Sequence, residues 1–154
     1  MKRIAISSCL LGVPCRYDGK SKSVNLECLG PEVDFFPFCP EMAAGLGCPR
    51  APIELVENGN ELPRVMGVND RTDVTGRLRE ACKRQADSLA SQGGADLFLL
   101  KARSPSCGKC SPLHALDGTI VGTAPGEWAR QVKTRFPNTP IWTEEDILAR
   151  CPSR

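Results

Sequence analysis

Nine cysteines in 154 residues restrict the folds open to this chain more than any other feature. Six of them fall as pairs: Cys9 with Cys15, Cys39 with Cys48, Cys107 with Cys110. The first member of each pair stands just beyond a short apolar run, at residues 4–6, 33–38 and 96–100. Each run reads as a buried strand. If the three strands are parallel neighbours, Cys9, Cys39 and Cys107 converge on one edge of one sheet. Thiolates gathered there suit a soft metal or an iron–sulfur group better than a disulfide framework.

The setting expected is a cytoplasmic enzyme. Met1-Lys2-Arg3 runs straight into a strand, without the longer apolar segment of a signal peptide. No stretch approaches the roughly 20 apolar residues of a membrane span, so no membrane partner is expected. In a reducing compartment, clustered cysteines are more often ligands or catalysts than bridges, and an odd total cannot pair completely. A net charge of +2 does not announce a nucleic-acid binder, but it permits a local basic patch.

Strands and helices alternate along the chain. A Gly-, Pro- and Cys-rich loop fills residues 8–23, and a short helix is expected at 25–29. Residues 53–56 and 64–68 suit a hairpin around an Asn-Gly turn. The strongest helix covers residues 75–91, where Leu78, Ala81, Cys82, Ala86, Leu89 and Ala90 share a face. Asp73 suits its start and Gly93-Gly94 its stop. A strand near 118–121, a helix at 126–136, a strand at 140–142 and a helix at 143–150 follow. Thr143 serves as the last helix's hydroxyl cap, and Glu144, Glu145 and Asp146 stand near its positive dipole end. The pattern is one α/β domain over residues 1–154, Rossmann-like, with a mainly parallel sheet flanked by helices.

Ligands of such sheets bind beyond the carboxyl ends of the strands. Three loops there carry the chemistry. The first holds Ser8-Cys9-Leu10-Leu11-Gly12 and Cys15-Arg16-Tyr17-Asp18-Gly19, the second Cys39-Pro40-Glu41 and Cys48-Pro49-Arg50, the third Lys101-Ala102-Arg103-Ser104-Pro105-Ser106-Cys107-Gly108. Glu41, two residues past Cys39, is placed to exchange a proton with a bound group. Arg16, Arg50, Lys101 and Arg103 could hold an anion or depress cysteine pKa values.

As a set, these motifs resemble the thiouracil desulfidase family over nearly the whole chain. The resemblance implies a 4Fe–4S cluster on three cysteines, with one open iron that takes the sulfur of a thiolated uracil. It also implies substrates among free 2-thiouracil and 4-thiouridine, the latter as nucleoside or within tRNA. Cys9, Cys39 and Cys107 lie inside family motifs, so the ligand role is carried onto them. Cys15 competes for the set. Cys48 stands where relatives often carry threonine. Cys110 would be a fourth ligand that closed the open iron.

The resemblance also implies a non-redox hydrolysis, in which water adds to the polarised thiocarbonyl carbon and sulfide leaves. Glu41 would move the protons. Lys101, with Ser104 or Ser106, would orient the ring or stabilise developing charge. Cys28 and Cys82 read as small buried apolar residues, and Cys151 as a terminal one. Asp18 reads as a turn residue, His114 as structural, and Trp128 and Trp142 as packing. Two alternatives stay open: a zinc-holding module on the same cysteines, or a metal-free thiol redox protein using Cys107-Gly108-Lys109-Cys110. The substrate's size and the oligomeric state are left undecided by the sequence.

Overall fold

The computed structural model describes residues 1–150; Cys151 lies outside the described residues. Strands β1 (Lys2–Ser7), β2 (Val33–Phe38), β5 (Leu97–Leu100) and β8 (Ile141–Thr143) form a parallel sheet in the order β2-β1-β5-β8. The chain moves from β1 to one neighbour, β2, and later returns to the other side at β5. The strand order therefore reverses at β1–β5, where such sheets open a crevice.

Alternation along the strands divides the core in two. Ala5, Phe98 and Leu100 face one layer, with Cys82, Ala86 and Leu89 of helix α2 (Thr75–Ser91) and Trp128, Ala129 and Val132 of helix α3 (Glu127–Arg135). Ile4, Ile6, Leu97 and Leu99 face the other, with Leu10 and Ile147 of helix α4 (Glu144–Arg150). This is the period-two rule of strands applied to a sheet covered on both faces. Trp128 packs edge-on to Phe38 and Phe98, and Trp142 carries the Arg150 guanidinium over its ring. Both tryptophans pack, as expected.

A second sheet was only half legible. Strands β3 (Ile53–Asn58) and β4 (Glu61–Gly67) form the expected hairpin. They are joined by β6 (Ser111–His114) and β7 (Ile120–Ala124), giving the order β4-β3-β6-β7, with β3 and β6 parallel. Leu78, near the start of α2, packs beneath this sheet with Leu55, Val65 and Val74. One helix thus underlies both sheets.

The helix ends follow local chemistry. Asp73 Oδ1 accepts the Thr75 amide at 2.9 Å, although Val74 occupies the cap position. Gly93 and Gly94, at φ +94° and +75°, close α2 by donating to Ala90 and Leu89 carbonyls. Their left-handed backbone favours glycine. The Thr143 hydroxyl accepts the Glu145 amide at 3.2 Å. Two expectations are corrected. Strand β2 is a half-buried edge strand rather than a buried one, which is where Pro37 can sit without costing a ladder bond. Cys28 is exposed in a 3-10 turn, Glu27–Leu29, and not a core residue.

Candidate functional site

Beyond Ser7, Phe38 and Leu100 the chain leaves the parallel sheet through three loops. Together with the start of α4 they enclose a cleft of about 620 Å³. Cys9, Cys39 and Cys107 all line it, and so do Cys15, Glu41, Lys101, Ser104 and Ser106. The sequence-predicted site residues are therefore brought together. Cys9 sits in a 3-10 turn, Ser8–Leu11, and Cys39 caps the short helix α1 (Pro40–Ala43). Cys107 belongs to the core layer under α2 and α3, whereas Cys9, Cys15 and Cys39 belong to the opposite layer. The thiols thus straddle the sheet edge.

Burial governs these thiols. It pushes Cys9 up to about 11 and Cys15 up to about 12, with Cys39 adding to both. It raises Cys107 strongly as well, against a hydrogen bond from Ser7. Lys101 and Arg16 pull Cys9 down and Arg50 pulls Cys15 down, but burial wins. The expectation that basic neighbours depress these thiols is corrected accordingly.

Four cations at or beside the cleft are paired with acids. Arg50 pairs with Glu41 at 3.1 Å, Lys101 with Glu144 at 2.9 Å, Arg103 with Glu145 at 2.9 Å and Lys109 with Asp146 at 3.7 Å. Arg3 lies over Phe36 and bonds Gly94 at the opposite end of the sheet. Of the four cations named from the sequence as anion holders, Lys101 and Arg103 meet acids in the first turn of α4, Arg50 meets Glu41, and Arg16 lines the cleft.

Glu41 is buried. Arg50 Nε reaches its Oε1 at 3.1 Å, and the Ser106 hydroxyl donates to its Oε2 at 2.9 Å. Ser104 Oγ stands 3.1 Å from Ser106 Oγ and accepts the amides of Ser106 and Cys107. A hydroxyl has one proton. With the Ser106 proton on Glu41, Ser104 is the donor to Ser106. Ser104 therefore shapes the loop and feeds a short chain, Ser104 to Ser106 to Glu41.

Glycines set the position of this loop. A Cβ on Gly126 would fall 2.6 Å from the Ser106 carbonyl carbon, and one on Gly108 would fall 2.9 Å from the Arg103 and Ser104 nitrogens. Trp128 N–H donates to the Ser106 carbonyl at 2.7 Å and Gly126 N–H to the Gly108 carbonyl at 2.8 Å. The start of α3 thus seats the Cys107 loop against the sheet.

The remaining candidates fall outside the cleft. Cys48 contacts the Pro14 and Arg16 carbonyls at 3.2 Å each, pinning the first loop. Cys110 is exposed and Cys82 fully buried in the core. Asp18 accepts the Lys20 amide in a turn. His114 sits between the Gly118 carbonyl and Glu54, a structural place. Sequence reasoning missed Ser7 and Glu144. The Ser7 hydroxyl accepts the Lys101 amide at 3.0 Å. Only the register of β1 and β8 beside β5 reveals either residue.

The model of a family described as 2-thiouracil desulfurase matches residues 4–145. The chain belongs to the 2-thiouracil desulfurase family. The matched span contains every cleft residue named above. The solved structure of the [4Fe-4S]-dependent thiouracil desulfidase TudS superposes with a TM-score of 0.77 and 30% identity, covering 97% of this chain and 95% of that one. The α/β fold with its parallel four-stranded sheet matches that of TudS. The uncharacterized protein YbbK of Bacillus subtilis (strain 168) is 32% identical over 111 residues, 68% of this chain and 72% of YbbK.

The cleft thiols fit a soft, sulfur-seeking inorganic group. Cys9, Cys15 and Cys107 are buried, with their thiols raised by desolvation, Cys39 is half-buried beside them, and the set comes from three separate loops. Binding such a group would exchange their protons for metal bonds. Among the described residues no three His, Cys, Asp or Glu side chains draw together tightly enough to grip a single ion. The sulfurs line a cleft rather than meet at a point. No described helix is long and apolar enough to cross a membrane.

Proposed function

We propose that this chain, acting as one desulfidase domain, removes sulfur from a thiolated uracil by hydrolysis, with a 4Fe–4S cluster held by Cys9, Cys39 and Cys107. One observation carries the reading: three strand-end thiols share a cleft with a buried carboxylate and a lysine. The likeness to TudS supports the choice of cluster. When bound, the cluster supplies a Lewis-acidic iron suited to the soft thiocarbonyl sulfur. With three cysteine ligands, that iron is free of protein.

The chain's own residues do the rest. Glu41 takes a proton from the attacking water and returns one to the departing sulfur. Arg50 and Ser106 hold its two oxygens, so the carboxylate cannot swing away. Lys101 donates to a ring oxygen and offsets the charge that builds there. A carbon–oxygen bond forms, the carbon–sulfur bond breaks, and one water is consumed without electron exchange. The products are uracil, or uridine from a nucleoside, and sulfide.

The mouth favours a small substrate. Lys101, Arg103, Arg50 and Lys109 are already paired with acids, which reduces the cleft charge open to a phosphate backbone to that of Arg16 and Lys22. Free 2-thiouracil and 4-thiouridine are therefore the first substrates to test, with 4-thiouridine tRNA beside them. Salt is the discriminator. Phosphate contacts release counterions, so a tRNA enzyme loses activity steeply as salt rises. A small-molecule enzyme of this kind shows a flat response on the base and the nucleoside. A steep loss confined to tRNA, with higher activity there at low salt, would make RNA the substrate.

A further inference from the structure

Glu144 is the first residue of α4, yet it does not face solvent as a helix-dipole acid would. It is 4% exposed and lines the cleft. Its Oε1 accepts the Ala102 amide at 2.6 Å and its Oε2 pairs with Lys101 Nζ at 2.9 Å. Lys101 Nζ also donates to the Ala102 carbonyl at 2.9 Å. Both backbone groups of Ala102 are thereby used in holding one carboxylate and one ammonium side by side.

Strand register brings them together. Thr143 pairs with Leu100 where β8 lies along β5. The next residue of each strand is then Glu144 and Lys101. An ammonium carries three N–H donors. Glu144 and the Ala102 carbonyl take two, which leaves the third for the cleft. Lysine is a point charge on a flexible four-carbon stem, and two anchors select one of its many positions. The Glu41 side of the cleft is served by Arg50 and Ser106, so Lys101 does not depend on that carboxylate.

We propose that Glu144 is a positioning residue of the reaction: it fixes the Lys101 ammonium so that its remaining donor meets the substrate ring, which makes α4 part of the site. This rests on the desulfidase reading for its effect on turnover, but the grip on Lys101 can be measured without it.

The experiment compares wild type, E144Q, K101M and the double variant as cluster-loaded proteins. The glutamine oxygen can still accept from Ala102, so only the pair with Lys101 is removed. Steady-state desulfuration of 2-thiouracil is one readout. The rate at which an amine-acylating reagent labels Lys101, followed by peptide mass spectrometry, is the other. E144Q is expected to lower kcat/KM and to speed Lys101 acylation, each by about tenfold, the low end for losing a hydrogen bond between charged groups. In the double variant the loss should equal that of K101M alone, since Glu144 acts through Lys101.

Multiplying losses in the double variant, or equal acylation of Lys101 in wild type and E144Q, would overturn the proposal. If E144Q does not fold or load, E144D takes its place. Faster acylation of Lys101 there than in wild type supports the proposal, because the shorter carboxylate cannot reach both partners, and an equal rate overturns it. A wild type that releases no sulfide sinks the desulfidase reading alone, and the acylation rates still decide whether Glu144 holds Lys101.

Discussion

The Ser106 hydroxyl donates to Glu41 Oε2 at 2.9 Å, joining residues 65 apart in sequence. It ties the loop of one cleft cysteine to the loop of another. It also leaves Glu41 bounded by a hydroxyl on one oxygen and Arg50 on the other. Such a carboxylate is oriented for proton transfer rather than merely buried. E41Q should load a normal cluster and still bind thiouracil. Its sulfide release should slow at least ~100-fold, the low end of a general acid–base contribution. S106A should slow it less, because Arg50 remains. Near-normal turnover in E41Q would move the proton transfer to another group.

The ligand set has its own test. C9S, C39S and C107S should each lose the visible iron–sulfur absorbance and all activity. C82S and C110S should keep both, since Cys82 lies in the core and Cys110 on the surface. Cys15 lines the same cleft, next to Cys39, so C15S is the informative comparison. A full cluster in C39S together with its loss in C15S would exchange the two assignments.

Gly126 should be as sensitive as a ligand, although it binds nothing. G126A places a methyl 2.6 Å from the Ser106 carbonyl carbon, and backbone on both sides cannot yield cheaply. Overpacking of this kind costs about 1–3 kcal/mol. Chemical denaturation should show that loss, and iron content should fall because the Cys107 loop is displaced. Unchanged stability and iron content would mean that α3 does not seat the loop.

Stability should also fall in acid through Asp73. Burial would raise its carboxyl, but hydrogen bonds from Thr75 and Arg64 outweigh burial and hold it below the usual range. A depressed carboxylate contributes stability above its unfolded pKa and loses that contribution as pH falls through its folded one. D73N should therefore be less stable than wild type near neutrality, by about 1 kcal/mol or less. The estimate is that of a helix cap, reduced because water screens an exposed pair. The difference should shrink below the ordinary carboxylate range. A gap that stays constant down to strong acid would remove Asp73 from the account.

Periodicity and strand-end cysteines made the parallel sheet and its three loops legible. Ile4 and Ile6 against Ala5, and the helical face from Leu78 to Leu89, are signals carried by the residues themselves. The second sheet was less so. Ser111–His114 is a short strand with a proline and no alternation, and its pairing with β3 depends on contacts far apart in sequence. The ion pairs of the site were hidden for the same reason. Glu144, Glu145 and Asp146 read locally as acids at a helix start, and they meet Lys101, Arg103 and Lys109 only through the β5–β8 register. Glu41 was legible because it shares a motif with Cys39. Ser7 stands two residues before Cys9 but ends a strand, just outside the run that starts at Ser8, and Glu144 reads in sequence as a helix-start acid.

Cluster-dependent hydrolysis of a thiolated uracil in this cleft can be measured outright. The direct measurement is anaerobic incubation of iron- and sulfide-reconstituted protein with 2-thiouracil and, separately, 4-thiouridine, following uracil or uridine and sulfide together. The account predicts equimolar release of both products from at least one substrate, without added reductant, with none from cluster-free protein. Release at an equal rate from cluster-free protein, or none from fully loaded protein on either substrate, would contradict it.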